Sequence, residues 1–135
     1  MSHFTTLQTQ FVDVDSLIKA LSDLGFEDVE VHETAQHLNG WRGDQRQQTA
    51  EVIIRREHIG SASNDIGFKQ NEDGTFEALI SEFDRKKYST EWLNRLTQRY
   101  AYHVAREKLK QQGFDLVNEE KDENGRIHMT LRRLS

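Results

Sequence analysis

The chain of 135 residues contains no cysteine. That removes disulfide bridges, zinc ribbons, iron–sulfur clusters and thiol nucleophiles from the chemistry open to it, and it suits a reducing, cytoplasmic setting. Proline is absent as well, so helix and strand ends must be set by glycine, asparagine and capping side chains. No stretch approaches the roughly 20 consecutive apolar residues of a membrane-spanning helix. The N-terminus "MSHFTTLQTQF" lacks the basic-then-apolar pattern of an export signal. The expectation is a soluble, unexported protein without membrane insertion. Positive charge is not in surplus either: the net charge is −5 and the pI about 5.7, which argues against broad adhesion to nucleic acid or anionic lipid.

Standard catalytic and cofactor signatures are also missing. There is no G-x-x-x-x-G-K-[ST] phosphate cradle, no G-x-G-x-x-G dinucleotide turn and no G-x-S-x-G nucleophile elbow. "HETAQH" approaches a zinc-peptidase helix, but His32 and His37 are five apart. On a helix that spacing separates them by about 140°, and on a strand they face opposite sides, so one metal ion does not take both. "GWRG" has the four-residue form of a KH-type RNA clamp, yet it falls between strands instead of between helices. The reading assigns no metal, no cofactor and no catalytic residue.

What is present is a clear alternation of strand and helix patterns in one domain, residues 1–135, whose 35% hydrophobic content matches one ordinary core. Residues 3 to 11 alternate as a strand, with His3, Leu7 and Phe11 on one side. "DVDSLIKALSDLGF" reads as a helix opened by Asp13 or Asp15 and stopped by Gly25, with Phe26 in the place of the apolar residue that follows a glycine cap. "EDVEVHE" follows as a strand. Residues 34 to 48 read as a polar, glutamine-rich loop with turn signals at Asn39-Gly40 and Gly43. "TAEVIIRRE" reads as a buried strand, and "DIGFKQNEDGTFEALISEF" as a hairpin turning at Asp73-Gly74. A long helix capped by Ser89 or Thr90 runs to about Gln112. "DLVNEE" and "RIHMTLRRL" close the chain as a hairpin around Asn124-Gly125. The predicted fold is α+β: a largely antiparallel sheet of about six to seven strands covered by two helices, in the order β-α-β-β-β-β-α-β-β.

Residues 98 to 103, "QRYAYH", are the densest cluster of amphipathic side chains. At about 100° per residue, Trp92, Leu96, Tyr100 and His103 share one face of the second helix, so Tyr100 and His103 point inward. Arg95, Arg99, Tyr102 and Arg106 form a neighbouring stripe that faces more toward solvent. Two readings stand side by side: hydrogen-bonded core residues beside a solvated ridge, or an arginine–tyrosine recognition surface. His3, Tyr100 and His103 form a candidate pocket.

Several segments carry a resemblance. "MSHF", "GWRGDQRQQTAEVIIR" at 40–55, "NDIGF" at 64–68, "LTQRYAYH" at 96–103 and the tail "LRRLS" are similar, in order, to the hypothetical chloroplast reading frame thirty-five family of cyanobacteria and algal plastids. The resemblance implies the glycine-aromatic-arginine-glycine pattern with a following base at Gly40, Trp41, Arg42, Gly43 and Arg46. It also implies a cytoplasmic location, or plastid stroma for algal relatives. The chain departs from the family where members often carry a tryptophan pair, here "SEFDRKKY". The resemblance transfers no activity.

The functional expectation is an accessory or adaptor protein that binds a protein partner through Trp41, Arg42 and Arg46 of the long loop together with Arg99 and Tyr102 of the second helix. The alternative is a small-ligand site or enzyme in which His3 and His103 share a pocket and Arg99 holds an anion. Nucleic-acid binding is a third, weaker reading, and it requires the arginines to merge into one basic face.

Overall fold

A computed structural model describes residues 3–133. Seven strands and two α-helices occur in the predicted order: β1 (Phe4–Gln8), α1 (Val14–Asp23), β2 (Val29–Asn39), β3 (Gln45–Ile54), β4 (Ile66–Gln70), β5 (Phe76–Ser81), α2 (Thr90–Gln111), β6 (Phe114–Lys121) and β7 (Ile127–Arg133). The strands divide between two sheets. β1 to β5 form an antiparallel sheet in the order β1-β5-β4-β3-β2, and among the described residues β6 and β7 pair only with each other.

The punctuation acts as the proline-free sequence requires. The Asp13 carboxylate accepts from the Ser16 backbone N–H (3.1 Å), and Ser89 Oγ accepts from Trp92 N–H (3.4 Å). Phe26 N–H returns to the Leu21 carbonyl (2.9 Å) across Gly25, whose φ of +99° only glycine adopts without strain.

One face of the large sheet carries the main core. Val52, Ile54, Ile66, Phe68, Phe76, Ala78 and Ile80 pack there against Leu17 and Leu21 of α1 and Trp92, Leu96 and Tyr100 of α2. Both helices therefore lie on this face. No helix among the described residues is long and apolar enough to cross a membrane.

The opposite face holds a second, smaller cluster: Leu38, Ala50, Ile53 and Leu79, with Phe4 against it. Its origin corrects the sequence reading. Residues 34 to 48 are not a loop; all but 40–44 belong to β2 and β3. Both strands are polar here, so the alternation that marks a half-buried strand is missing, and backbone pairing holds them instead. The register slips between Val31 and Gln36. Such a bulge bends a strand and increases its twist. The ribbon curls back over its own sheet, so that Arg46 near its tip reaches the ring of Phe4 on β1, the far edge strand (5.2 Å to the centroid). Gly67 allows this close approach, because a Cβ there would stand 2.8 Å from Ala50 Cβ and 2.9 Å from Leu38 Cδ2.

Candidate functional site

The ribbon tip, residues 40–44, is built from a tight backbone knot. Gly40 N–H donates to the Asp44 carbonyl (2.7 Å) and Gly43 N–H to the Gly40 carbonyl (2.8 Å). Gly43 takes a left-handed φ of +79°, and a Cβ on Gly40 would lie 2.5 Å from Asp44 Oδ1. Gly43 is thus demanded by its backbone conformation, whereas a side chain at Gly40 would displace the Asp44 carboxylate.

The tip is anchored by the segment before β4. Asn64 is fully buried. Its Oδ1 accepts from Trp41 N–H (3.0 Å), its Nδ2 donates to Ser81 Oγ (2.9 Å), and its own N–H donates to Asp84 (3.0 Å). Ser81 Oγ donates in turn to Asp84 (2.8 Å). Asp65, also without exposure, accepts from Asn39 N–H (2.6 Å), Arg56 N–H (2.7 Å) and Arg55 Nη1 (2.8 Å). Arg55 Nε also donates to Glu30 (2.9 Å). That bond is the main reason the Glu30 carboxyl titrates below its ordinary range. Two stretches that carry the family resemblance, "GWRG" and "NDIGF", meet at these bonds.

On this rigid mount Trp41 is 42% exposed. The Arg42 guanidinium lies 4.7 Å from its ring centroid, a cation–π contact that holds both planar groups at the surface. Trp41, Arg42, Asp44 and Arg46 line a shallow cleft of about 410 Å³.

The other predicted half of the surface lies elsewhere. Arg99 and Tyr102 sit on α2, across the sheet from the ribbon tip, and they line a different cleft with Glu119 and Met129. Tyr102 is not a solvent-facing residue: it is buried, because the β6–β7 hairpin closes over that side of α2. Its hydroxyl donates to Glu119 and accepts from Arg106 (3.2 Å). Burial, reinforced by the Glu119 carboxylate, raises the Tyr102 phenol above its ordinary range. Arg99 is engaged as well, its Nε donating to Asp23 (2.8 Å) while its guanidinium stacks over Tyr102 (4.4 Å).

Tyr100 is inward-facing as expected, its ring 4.7 Å from that of Phe11. Its hydroxyl accepts from Val12 N–H (2.9 Å) and Asp13 N–H (3.0 Å), two donors at the start of α1. His103 is half-buried, and its Nε2 meets Asp23 Oδ2 at 2.6 Å. His3 is exposed on the β1 side, its carbonyl bonded to Glu82 N–H (2.8 Å), and it does not line the cleft that His103 lines. The three residues do not converge on one cavity. His32 and His37 likewise bind separate partners, Glu30 (2.8 Å) and the Arg46 carbonyl (2.7 Å). The arginines do not form one basic face: Arg132 pairs with Asp115 (3.1 Å), while Arg42 and Arg46 lie at the ribbon tip.

Asp23 was not singled out by the sequence, yet it ties α1 to α2. It ends α1, where the helix dipole disfavours a carboxylate, and Arg99 and His103 compensate. Burial raises its pKa, but the hydrogen bonds from His103 and Arg99 outweigh that and hold it below the ordinary 3.8. A depressed folded-state pKa means stabilisation that is complete above the ordinary value and lost as the pH falls below 3.8 through the folded-state value. Urea midpoints measured from neutral pH down through that window should therefore fall less steeply for Asp23→Asn than for wild type; parallel acid limbs would show that the pair contributes nothing.

Comparison with known proteins places this geometry in a group. Residues 20–130 match the model of a family described as protein of unknown function (DUF1257). The uncharacterized protein ycf35 of Guillardia theta is 35% identical over 136 residues. Its counterparts from Pyropia yezoensis and Cyanophora paradoxa are each 28% identical over 134 residues. Each alignment covers 98% of this chain and 98% of the relative. No solved structure matches the chain.

Proposed function

The chain belongs to the DUF1257 family, and from that premise we propose that it is a non-catalytic accessory protein that docks a protein partner through the β2–β3 ribbon tip. The observation that carries this reading is the half-exposed Trp41 stacked with Arg42 on a turn whose backbone is bonded to a fully buried asparagine. Tryptophan and arginine are the residue types that dominate binding energy at interfaces, and a tip fixed in advance loses little conformational entropy on docking. The surface comprises Trp41, Arg42 and Arg46. Arg99 and Tyr102 leave it, because they lie across the sheet and are occupied by Asp23 and Glu119. The cytoplasm, or the plastid stroma, is the setting this reading assumes.

The test is affinity capture from native lysate with wild type, Trp41→Ala and Arg99→Ala. Truncating a hot-spot tryptophan removes about 2–4 kcal/mol of binding, so Trp41→Ala should lose the partner that wild type and Arg99→Ala both retain. The melting temperature should barely change, since an exposed substitution stays within about 0.5 kcal/mol. A Trp41→Ala protein that unfolds, or one that captures the same partner as wild type, would end this reading.

A further inference from the structure

We infer that the wedge between α2 and the β6–β7 hairpin is a binding site for a small amphiphilic anion, a molecule with an unbranched apolar chain and a carboxylate-like head. Among the described residues the hairpin hydrogen-bonds to no other strand, and it leans on α2. A two-stranded ribbon is marginal in water on its own, and this one leaves a cleft of about 310 Å³ beneath it, at the small end of ordinary ligand sites. The floor is apolar: Leu109, Phe114, Leu116, Met129 and Leu131. These side chains are only partly covered, Leu131 being 37% exposed, so the protein leaves there apolar surface that it buries elsewhere.

The rim has the opposite character. Lys19 from α1 and Arg106 and Lys110 from α2 stand around the opening, beside His103. Among the described residues no carboxylate lies within ion-pair distance of Lys19 or Lys110. Of the two acidic residues on the rim, Asp115 is paired with Arg132, which leaves Glu107 against Lys19 and Lys110, with Arg106 shared with the Tyr102 hydroxyl. An apolar floor under a cationic rim complements a molecule that is apolar along its length and anionic at one end. A cation would be repelled, and a wholly polar anion would leave the floor in water.

Calorimetric titration of the full chain with octanoate, decanoate, decanol and decyltrimethylammonium tests this. Each added methylene that enters the floor should tighten binding roughly fourfold, so decanoate should bind at one site roughly fifteenfold more tightly than octanoate. Decanol and the quaternary amine should bind at least tenfold more weakly than decanoate. Lys19→Glu and Lys110→Glu, both exposed positions, should weaken decanoate severalfold without changing the melting temperature. Leu131→Asp should abolish binding, with circular dichroism confirming that the hairpin persists. Absent saturable binding, equal affinity for the amine, no dependence on chain length, or indifference to both lysine reversals would each overturn the inference. So would binding confined to phosphatidylglycerol vesicles, or a dimer that Leu131→Asp converts to monomer, since a membrane or a second copy would then own the floor.

Discussion

Asp65→Ala should destabilise the protein by about 3–5 kcal/mol, the range found when one partner of a buried ion pair is removed. The carboxylate has no solvent exposure and receives Asn39 N–H, Arg56 N–H and Arg55 Nη1 at 2.6 to 2.8 Å. Without it, two backbone donors and one guanidinium lose their acceptor together, and only Glu30 and the His37 carbonyl remain for Arg55. At a few degrees per kcal/mol, the melting temperature should fall by roughly ten degrees or more. Asp65→Asn should fall between wild type and Asp65→Ala, because an amide keeps one acceptor oxygen but turns its NH2 toward donors in place of the other. Equilibrium urea unfolding measures the difference directly, and an Asp65→Ala loss below about 1 kcal/mol would mean that water replaces the carboxylate.

Asn64→Ala should cost about 2–4 kcal/mol, from two side-chain hydrogen bonds lost inside the protein and the small void left behind. Its second consequence is functional. Trp41 N–H would lose its acceptor, so the tip would no longer be held, and partner capture should weaken although Asn64 itself touches no solvent. Hydrogen exchange at the Trp41 amide and affinity capture report these two effects separately. If Asn64→Ala unfolds as wild type does and still captures the partner, the buried anchor does not preorganise the tip.

Local signals wrote most of the element order into the chain. Asp13, Ser89, Gly25 and Gly113 cap or stop the helices by interactions that reach only a few residues along the sequence, and apolar spacing identifies Leu17, Leu21, Trp92, Leu96 and Tyr100 as core. The ribbon of residues 34 to 48 was not legible, because its glutamines and threonines give no periodic apolar face, even though its two strands are neighbours in the chain. Tyr102 was misjudged for a related reason. Helical spacing places it on the solvent side of α2, but the hairpin that covers it follows later in the sequence.

The candidate site divides in the same way. "GWRG" marks an exposed aromatic and a base between turn glycines, and that much is readable because turn chemistry is local. Asn64 opens "NDIGF" and Ser81 and Asp84 lie in "SEFDRKKY", but neither stretch signals an anchor, and their roles arise only when separate loops are brought together.

By itself, then, the sequence determined the order of helices and strands, where both helices start and stop, which side chains of those helices face the main core, and that no thiol, proline or phosphate-binding loop takes part. Tertiary structure alone decided that the basic ridge of α2 and the tip of the ribbon stand on opposite faces of one sheet. The physical reason is a strand bulge and a close glycine contact, which direct the ribbon away from the helices through atoms far apart in the chain.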